Sequence, residues 1–169
     1  MLIRLSLLLL LVALIVQWGV AAALWPQLPA TIPLHFNGSG IPDRTGPATF
    51  VTWFMLPAIG TALGVLLGGI GLALPGFARR YPAWINLPNK AAFLMRRPEE
   101  RVWIIEPIAA ALVADGVVMQ ALFATIAYGT ERVANGAWSN FPAWIPLVFV
   151  LPAVLVPLAG AIVSIARNG

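Results

Sequence analysis

Four stretches of this chain are apolar for longer than a buried helix of a soluble protein needs to be: Leu5 to Leu24, Phe50 to Leu74, Val102 to Tyr128 and Trp144 to Ala166. A helix rising 1.5 Å per residue needs about 20 mostly apolar residues to cross roughly 30 Å of hydrocarbon. None of the four contains Lys or Arg. Lipid offers no hydrogen-bond partners, so each run must satisfy its own backbone by coiling into a helix. The pattern predicts an all-α integral membrane four-helix bundle with spans over 5–24, 50–74, 102–128 and 144–166, forming a single membrane domain over 1–169. Only 9% of residues are charged and 60% are hydrophobic, against about 25% charged in soluble domains. That balance leaves no room for a large soluble domain.

The charges give the bundle a direction. If four helices alternate, Arg4, Arg79, Arg80, Lys90, Arg96, Arg97, Arg101 and Arg167 share one side, and only Arg44 and Arg132 face the other. The positive-inside rule then places both termini and the basic loop 75–101 in the cytoplasm, and the Pro-rich loop 25–49 outside. A cleaved leader ending at Ala21-Ala22-Ala23 is the alternative for the first run, but the run exceeds the 7–15 residues of a signal peptide's apolar region. The net charge of +4 follows from this topology and is not read as nucleic-acid binding. With no cysteine, disulfides and thiolate chemistry are excluded. Trp18, Trp25, Trp53, Trp84, Trp103, Trp138 and Trp144, with Tyr81 and Tyr128, lie near the predicted borders and are read as interfacial anchors.

Within the second span, Gly60, Gly64 and Gly68 recur every four residues, leaving a helix face without bulk that another helix can approach closely. Spacing alone does not decide between a neighbouring span and a second copy as that partner; a neighbouring span is the expectation. The third span carries the polar groups Glu106, Asp115 and Gln120. Glu106 lies within a turn of the cytoplasmic end, within reach of Arg101 or a headgroup amine. Asp115 is near mid-span without a cation on its helix, so it is expected to face the interior, because ionisable groups in lipid are costly. Pro146, Pro152 and Pro157 free backbone carbonyls in the fourth span, and one of these is expected to accept the proton of a protonated Asp115 and hold the third helix to the fourth. The two carboxylates are nine residues apart, about 13 Å along the axis and on opposite faces, which is no acid/base pair.

In the basic loop, Pro98-Glu99-Glu100 reads as a helix start, so the third helix begins before the membrane. The preceding apolar-basic segment is expected to lie along anionic headgroups. In the outward loop, prolines 26, 29, 33, 42 and 47 favour extended chain, and Asn37-Gly38 and Ser39-Gly40 supply turn residues, predicting an ordered hairpin-like excursion. It holds His35, the one histidine. His35 and Asp43 alone make a poor metal site, so no metal or other cofactor is expected. The Asn37-Gly38-Ser39 triplet matches a glycosylation sequon but has no support elsewhere in the chain.

These residues carry a resemblance. Leu28-Pro29, Ile32-Pro33, His35-Phe36-Asn37, Gly40 and Pro42-Asp43, directly after a first span, resemble the bacterial membrane domain of unknown function found at the amino end of SdpI-type toxin-immunity and signalling proteins. Ile85 to Lys90 reads Ile-Asn-Leu-Pro-Asn-Lys and, with Phe93 and Pro98-Glu99-Glu100-Arg101 beyond it, is similar to the loop of short stand-alone members. The motifs cover Leu5 to Arg101, and the last two spans match in architecture only. Thr45-Gly46-Pro47 stands where a Ser-Lys-like pair often follows the Asp, Ala91-Ala92-Phe93 replaces an aromatic-rich stretch, and the extra carboxy-terminal spans of longer SdpI proteins are absent.

The resemblance implies a bacterial inner-membrane, multi-pass protein. The expected function is non-enzymatic: binding of a peptide or protein partner through His35, Phe36, Asn37, Gly40, Pro42 and Asp43, with Asn86, Pro88, Asn89 and Lys90 as a companion cytoplasmic motif. The protein would serve SdpI-like immunity or signalling, or act as an accessory subunit of a larger membrane complex docked through the Gly60, Gly64, Gly68 face. The alternative is a small proton-coupled transporter that uses Asp115 as an oligomer. No hydrolase, metalloprotease or paired-carboxylate motif points to an enzyme.

Overall fold

A computed structural model describes residues 2–169. In chain order the elements are α1 (Leu2–Leu24), β1 (Thr31–Phe36), β2 (Pro42–Pro47), α2 (Phe50–Arg80), α3 (Lys90–Met95), α4 (Pro98–Ala134) and α5 (Trp144–Asn168), with single 3-10 turns at Trp25–Gln27 and Pro82–Trp84. Four of the helices, α1, α2, α4 and α5, are long and apolar enough to cross a membrane. The molecule is mostly helical rather than all-α, because the segment after α1 forms an antiparallel hairpin. Its register pairs Thr31 with Pro47, Ile32 with Gly46, Pro33 with Thr45, His35 with Arg44 and Phe36 with Pro42. Prolines at 33, 42 and 47 hold φ at about −65°, an extended conformation tolerated on edge strands, and both strands of so short a ribbon are edge strands.

The helices run past the apolar spans. With 31 and 37 residues, α2 and α4 are about 46 and 55 Å long at 1.5 Å per residue, more than the roughly 30 Å of a hydrocarbon core. Hence the basic segment 75–101 is not all loop: its first six residues complete α2, and Lys90–Met95 form the short α3. Pro57, Pro75, Pro107, Pro152 and Pro157 all sit inside helices. Reciprocal bonds start α2, Thr52 N–H to Thr49 Oγ1 at 3.2 Å and Thr49 N–H to Thr52 Oγ1 at 2.9 Å. At the start of α4 the Arg97 N–H donates to Glu100 Oε2 at 3.2 Å, as the acidic first turn predicted.

The four long helices are not arranged as an even bundle. α4 is the hub: α1 and α2 pack on it and on each other, whereas α5 packs chiefly against α4. The glycine face of α2 is filled within the chain. A Cβ on Gly64 would approach Gln120 Nε2 at 2.5 Å, one on Gly68 would approach Leu10 at 3.0 Å, and one on Gly60 would meet Gln17 Nε2 at 2.7 Å and Phe123 at 2.8 Å. At the basic end Phe93 is fully buried in a cluster with Ala78, Ile104 and Ile105, and Arg101 donates to the carbonyls of Phe93 and Leu94 at 3.3 and 2.7 Å. Arg101 thus closes the carboxyl end of α3.

Candidate functional site

The hairpin is built by its own sequence and then fastened down. Asn37 Oδ1 accepts the N–H groups of Ser39 and Ile41 at 2.9 and 3.1 Å, and the Gly40 N–H closes on Asn37 O at 2.8 Å. Gly40 has φ +74°, a left-handed conformation that favours glycine. A Cβ there would run into the Phe141 carbonyl. That contact is the clamp: Phe141 N–H donates to Gly40 O at 2.8 Å, Asn140 Nδ2 to Ser39 O at 3.2 Å, and the Phe36 and Phe141 rings lie 5.3 Å apart. The tip of the hairpin is therefore fixed to the connection between α4 and α5.

Held this way, the hairpin roofs a cavity of about 390 Å³. Ile32 to Gly38 and Gly40 form the roof, Thr52, Trp53, Met55 and Leu56 of α2 one wall, and Ile126, Ala127 and Thr130 of α4 the floor; Phe141, Ala143 and Pro146 complete the far side. The volume falls in the range of about 300–1,000 Å³ typical of small-ligand sites, which are likewise mostly apolar with a few polar groups. Beneath the roof, Leu24, Ile32, Trp53 and Ala127 form a buried cluster, and Trp53 Nε1 donates to Ala21 O at 2.9 Å. Trp53 is thus a core residue, not the interfacial anchor expected. At the roof's edge the His35 imidazole Nδ1 lies 2.6 Å from Asp43 Oδ1, with both side chains exposed. No third His, Asp or Glu joins them in a cluster among the described residues.

His35, Phe36, Asn37 and Gly40 line this cavity; Asp43 joins them only through His35, and Pro42 through its pairing with Phe36. Among them, Asn37 and Gly40 serve turn geometry. The second motif is far away at the basic end. There Asn89 is left-handed, φ 56°, and the carbonyls of Pro88 and Asn89 accept from Asn168 Nδ2 at 2.7 and 3.2 Å, joining the motif to the end of α5. Asn86 and Lys90 are exposed, as are Trp84 and Met95 at 80% and 88%.

The polar residues of α4 divide. Gln120 is fully buried and its Nε2 donates to Gly60 O at 2.8 Å. Gln17, a residue the motifs did not single out, is equally buried and donates to Pro57 O at 2.9 Å. Its only signal was being the one amide in the first apolar run. Asp115 does not make the predicted bond to α5. Its Oδ1 is buried and has no hydrogen-bond partner among the described residues, no freed carbonyl of α5 meets it, and α5 from Ile145 to Val163 offers no polar side chain. Glu106 is half-buried toward the basic end. Glu131, also missed, is 1% exposed, pairs with Arg132 and accepts from Asn135 Nδ2 at 2.8 Å. Asn135 in turn reaches Gln27 O at 3.1 Å, tying the end of α4 to the 3-10 turn after α1.

Comparison with known proteins adds a family likeness. Residues 12–61, covering the second half of α1, the hairpin and the start of α2, match the model of a domain of unknown function, DUF1648. The chain is 28% identical over 149 residues, 86% of its length and 79% of the relative's, to an uncharacterized protein of Archaeoglobus fulgidus. No solved structure matches.

Proposed function

We propose that this chain is a non-enzymatic membrane protein that captures a peptide or protein partner by seating an apolar segment in the cavity under the hairpin. The observation that carries the reading is the cavity itself: a family-matched hairpin, clamped at Gly40 to Phe141, covers about 390 Å³ of mostly apolar space. A hairpin needed only as a connection has no reason to be pinned across such a space. Phe36 and Leu34 supply the apolar contact, and His35 with Asp43 supplies polar selection at the rim. The charge distribution supports an orientation with this site outside and both termini in the cytoplasm. There the basic segment, with Trp84 and Met95 exposed beside Lys90 and Arg96, rests on anionic headgroups, each cation contributing about 1 kcal/mol. The resemblance to SdpI-type proteins supports a bacterial inner membrane and an immunity or signalling role; an accessory subunit of a membrane complex would have to dock through the cavity, because the Gly60, Gly64, Gly68 face is filled by Gln17, Gln120 and Leu10 of the same chain.

The test is affinity purification of the full chain from its native membrane beside an Ile126→Trp variant, which fills the floor of the cavity. The expected result is one polypeptide that co-purifies with the native chain and is lost with the variant while insertion and helix content are unchanged. Full retention by the variant contradicts the assignment. The transporter alternative rests on one observation, the unpaired Asp115 oxygen, and requires proton flux in vesicles containing the chain alone.

A further inference from the structure

The cavity under the hairpin has one side that no described element closes. The hairpin covers its outer end, Ile126, Ala127 and Thr130 of α4 stand behind it, and α2 and the start of α5 flank it. α2 packs on α4 and α1, and α5 chiefly on α4, so the two flanks are not packed on each other. Their edges are accordingly uncovered: Met55 is 52% exposed, Ala143 is exposed and Pro146 is half-buried. Met55 also lines a shallow hollow on the outside of α1 and α2, beside Trp18, Phe50 and Phe54. The cavity is thus continuous, around Met55, with the surface that the apolar runs turn toward lipid.

The open side lies at the depth of acyl chains. Met55 is five residues beyond Phe50, where the second apolar run begins, or about 8 Å along the axis, and Ile126 is inside the third run. The lining follows the same order as a lipid: polar His35 and Asn37 are at the hairpin end, and Met55, Leu56, Ile126 and Pro146 at the other. Water gains little against such walls, since apolar cavities stay dry, and an empty space forfeits the dispersion contacts of everything that lines it. A hydrocarbon chain meets both conditions, and a bilayer supplies one at all times.

We infer that the cavity holds an acyl chain of a lipid from the leaflet on the hairpin side, which enters between α2 and α5 past Met55 and leaves when the partner's apolar segment takes its place. The inference rests on the reading of this cavity as the binding site. It adds the competitor: the partner displaces lipid rather than water.

The experiment places a photo-reactive side chain at Ile126, or at the exposed Leu66 of α2 as reference, in the full chain reconstituted into phosphatidylcholine vesicles with no other protein. Phospholipid adducts are read by mass spectrometry. The expected result is adducts at both positions and, with Met55→Trp or Ala143→Trp on the two flanks of the mouth, loss of the Ile126 adduct while the Leu66 adduct and the helix content are unchanged. Adducts at Leu66 without any at Ile126 overturn the proposal, as does an Ile126 adduct that survives both variants. The partner assignment is read by co-purification from the native membrane, which the vesicle result does not use, so the two readings fail separately.

Discussion

The two sides of α4 are made of different material. Toward α1 and α2 it presents Ala109, Val113, Gly116 and Gln120, which sink into a glycine face, and two glutamine amides are spent on backbone carbonyls across the helices. Between its α2 and α5 contacts it presents Leu112, Met119 and Ile126, half-buried, with a cavity at the hairpin end, and Asp115, its Oδ1 unpaired, lies beside the contact of Ala111 with α5. Helices in lipid gain nothing from hydrophobic collapse, so close packing and interhelical hydrogen bonds are what hold them together. The side that has both is a finished interface. The side that has neither is where a further polypeptide can still gain.

The sharpest way to break this contrast is Gly64→Leu, which drives a side chain into Gln120 and Leu10. It is expected to destabilise by about 1–3 kcal/mol, seen as a lower melting temperature in detergent, whereas Gly69→Leu, with open space around it, leaves the melting temperature unchanged. Similar loss from both would mean that the glycine face is not a packed interface. Next is Gly40→Val, which strains a left-handed position and collides with Phe141. A cost of about 1–3 kcal/mol confined to the hairpin is expected, measured as faster hydrogen exchange at 31–47 with the helices unaffected. Gln120→Leu removes one bond between α4 and α2 and is expected to cost about 0.6–1.7 kcal/mol in the same melting assay. Smallest is Asp115→Asn, for which the stability read from the same melting assay is expected to stay within about 0.5 kcal/mol of the native value. A larger loss would show that Asp115 is a structural member of the closed side after all.

Much of this contrast was legible in the sequence, and the misses have physical causes. The four apolar runs gave the spans because lipid forces helix on them, and Asn37-Gly38 with the prolines gave the hairpin. Gly60, Gly64 and Gly68 announced a close approach, but not that Gln17 and Leu10 would fill it, since nothing local fixes which helix arrives. Phe141 and Asn140 were invisible as partners of Gly40 because they lie some hundred residues away in sequence. Trp53 looked like a border aromatic and is in the core because its indole N–H finds the Ala21 carbonyl. The bond assigned to Asp115 followed from the prolines of α5, which do free carbonyls. It failed because the Asp115 Oδ1 is buried without reaching any of those carbonyls.

The most direct test places a photo-reactive side chain at Ile126 in the cavity floor and, separately, at Leu66, an exposed position on α2, and irradiates each full-length chain in its native membrane. The expected result is a discrete polypeptide adduct from Ile126 that disappears with Gly40→Val, beside only lipid adducts from Leu66. Lipid adducts alone from both positions would contradict the assignment of the hairpin-roofed cavity as a site for a partner.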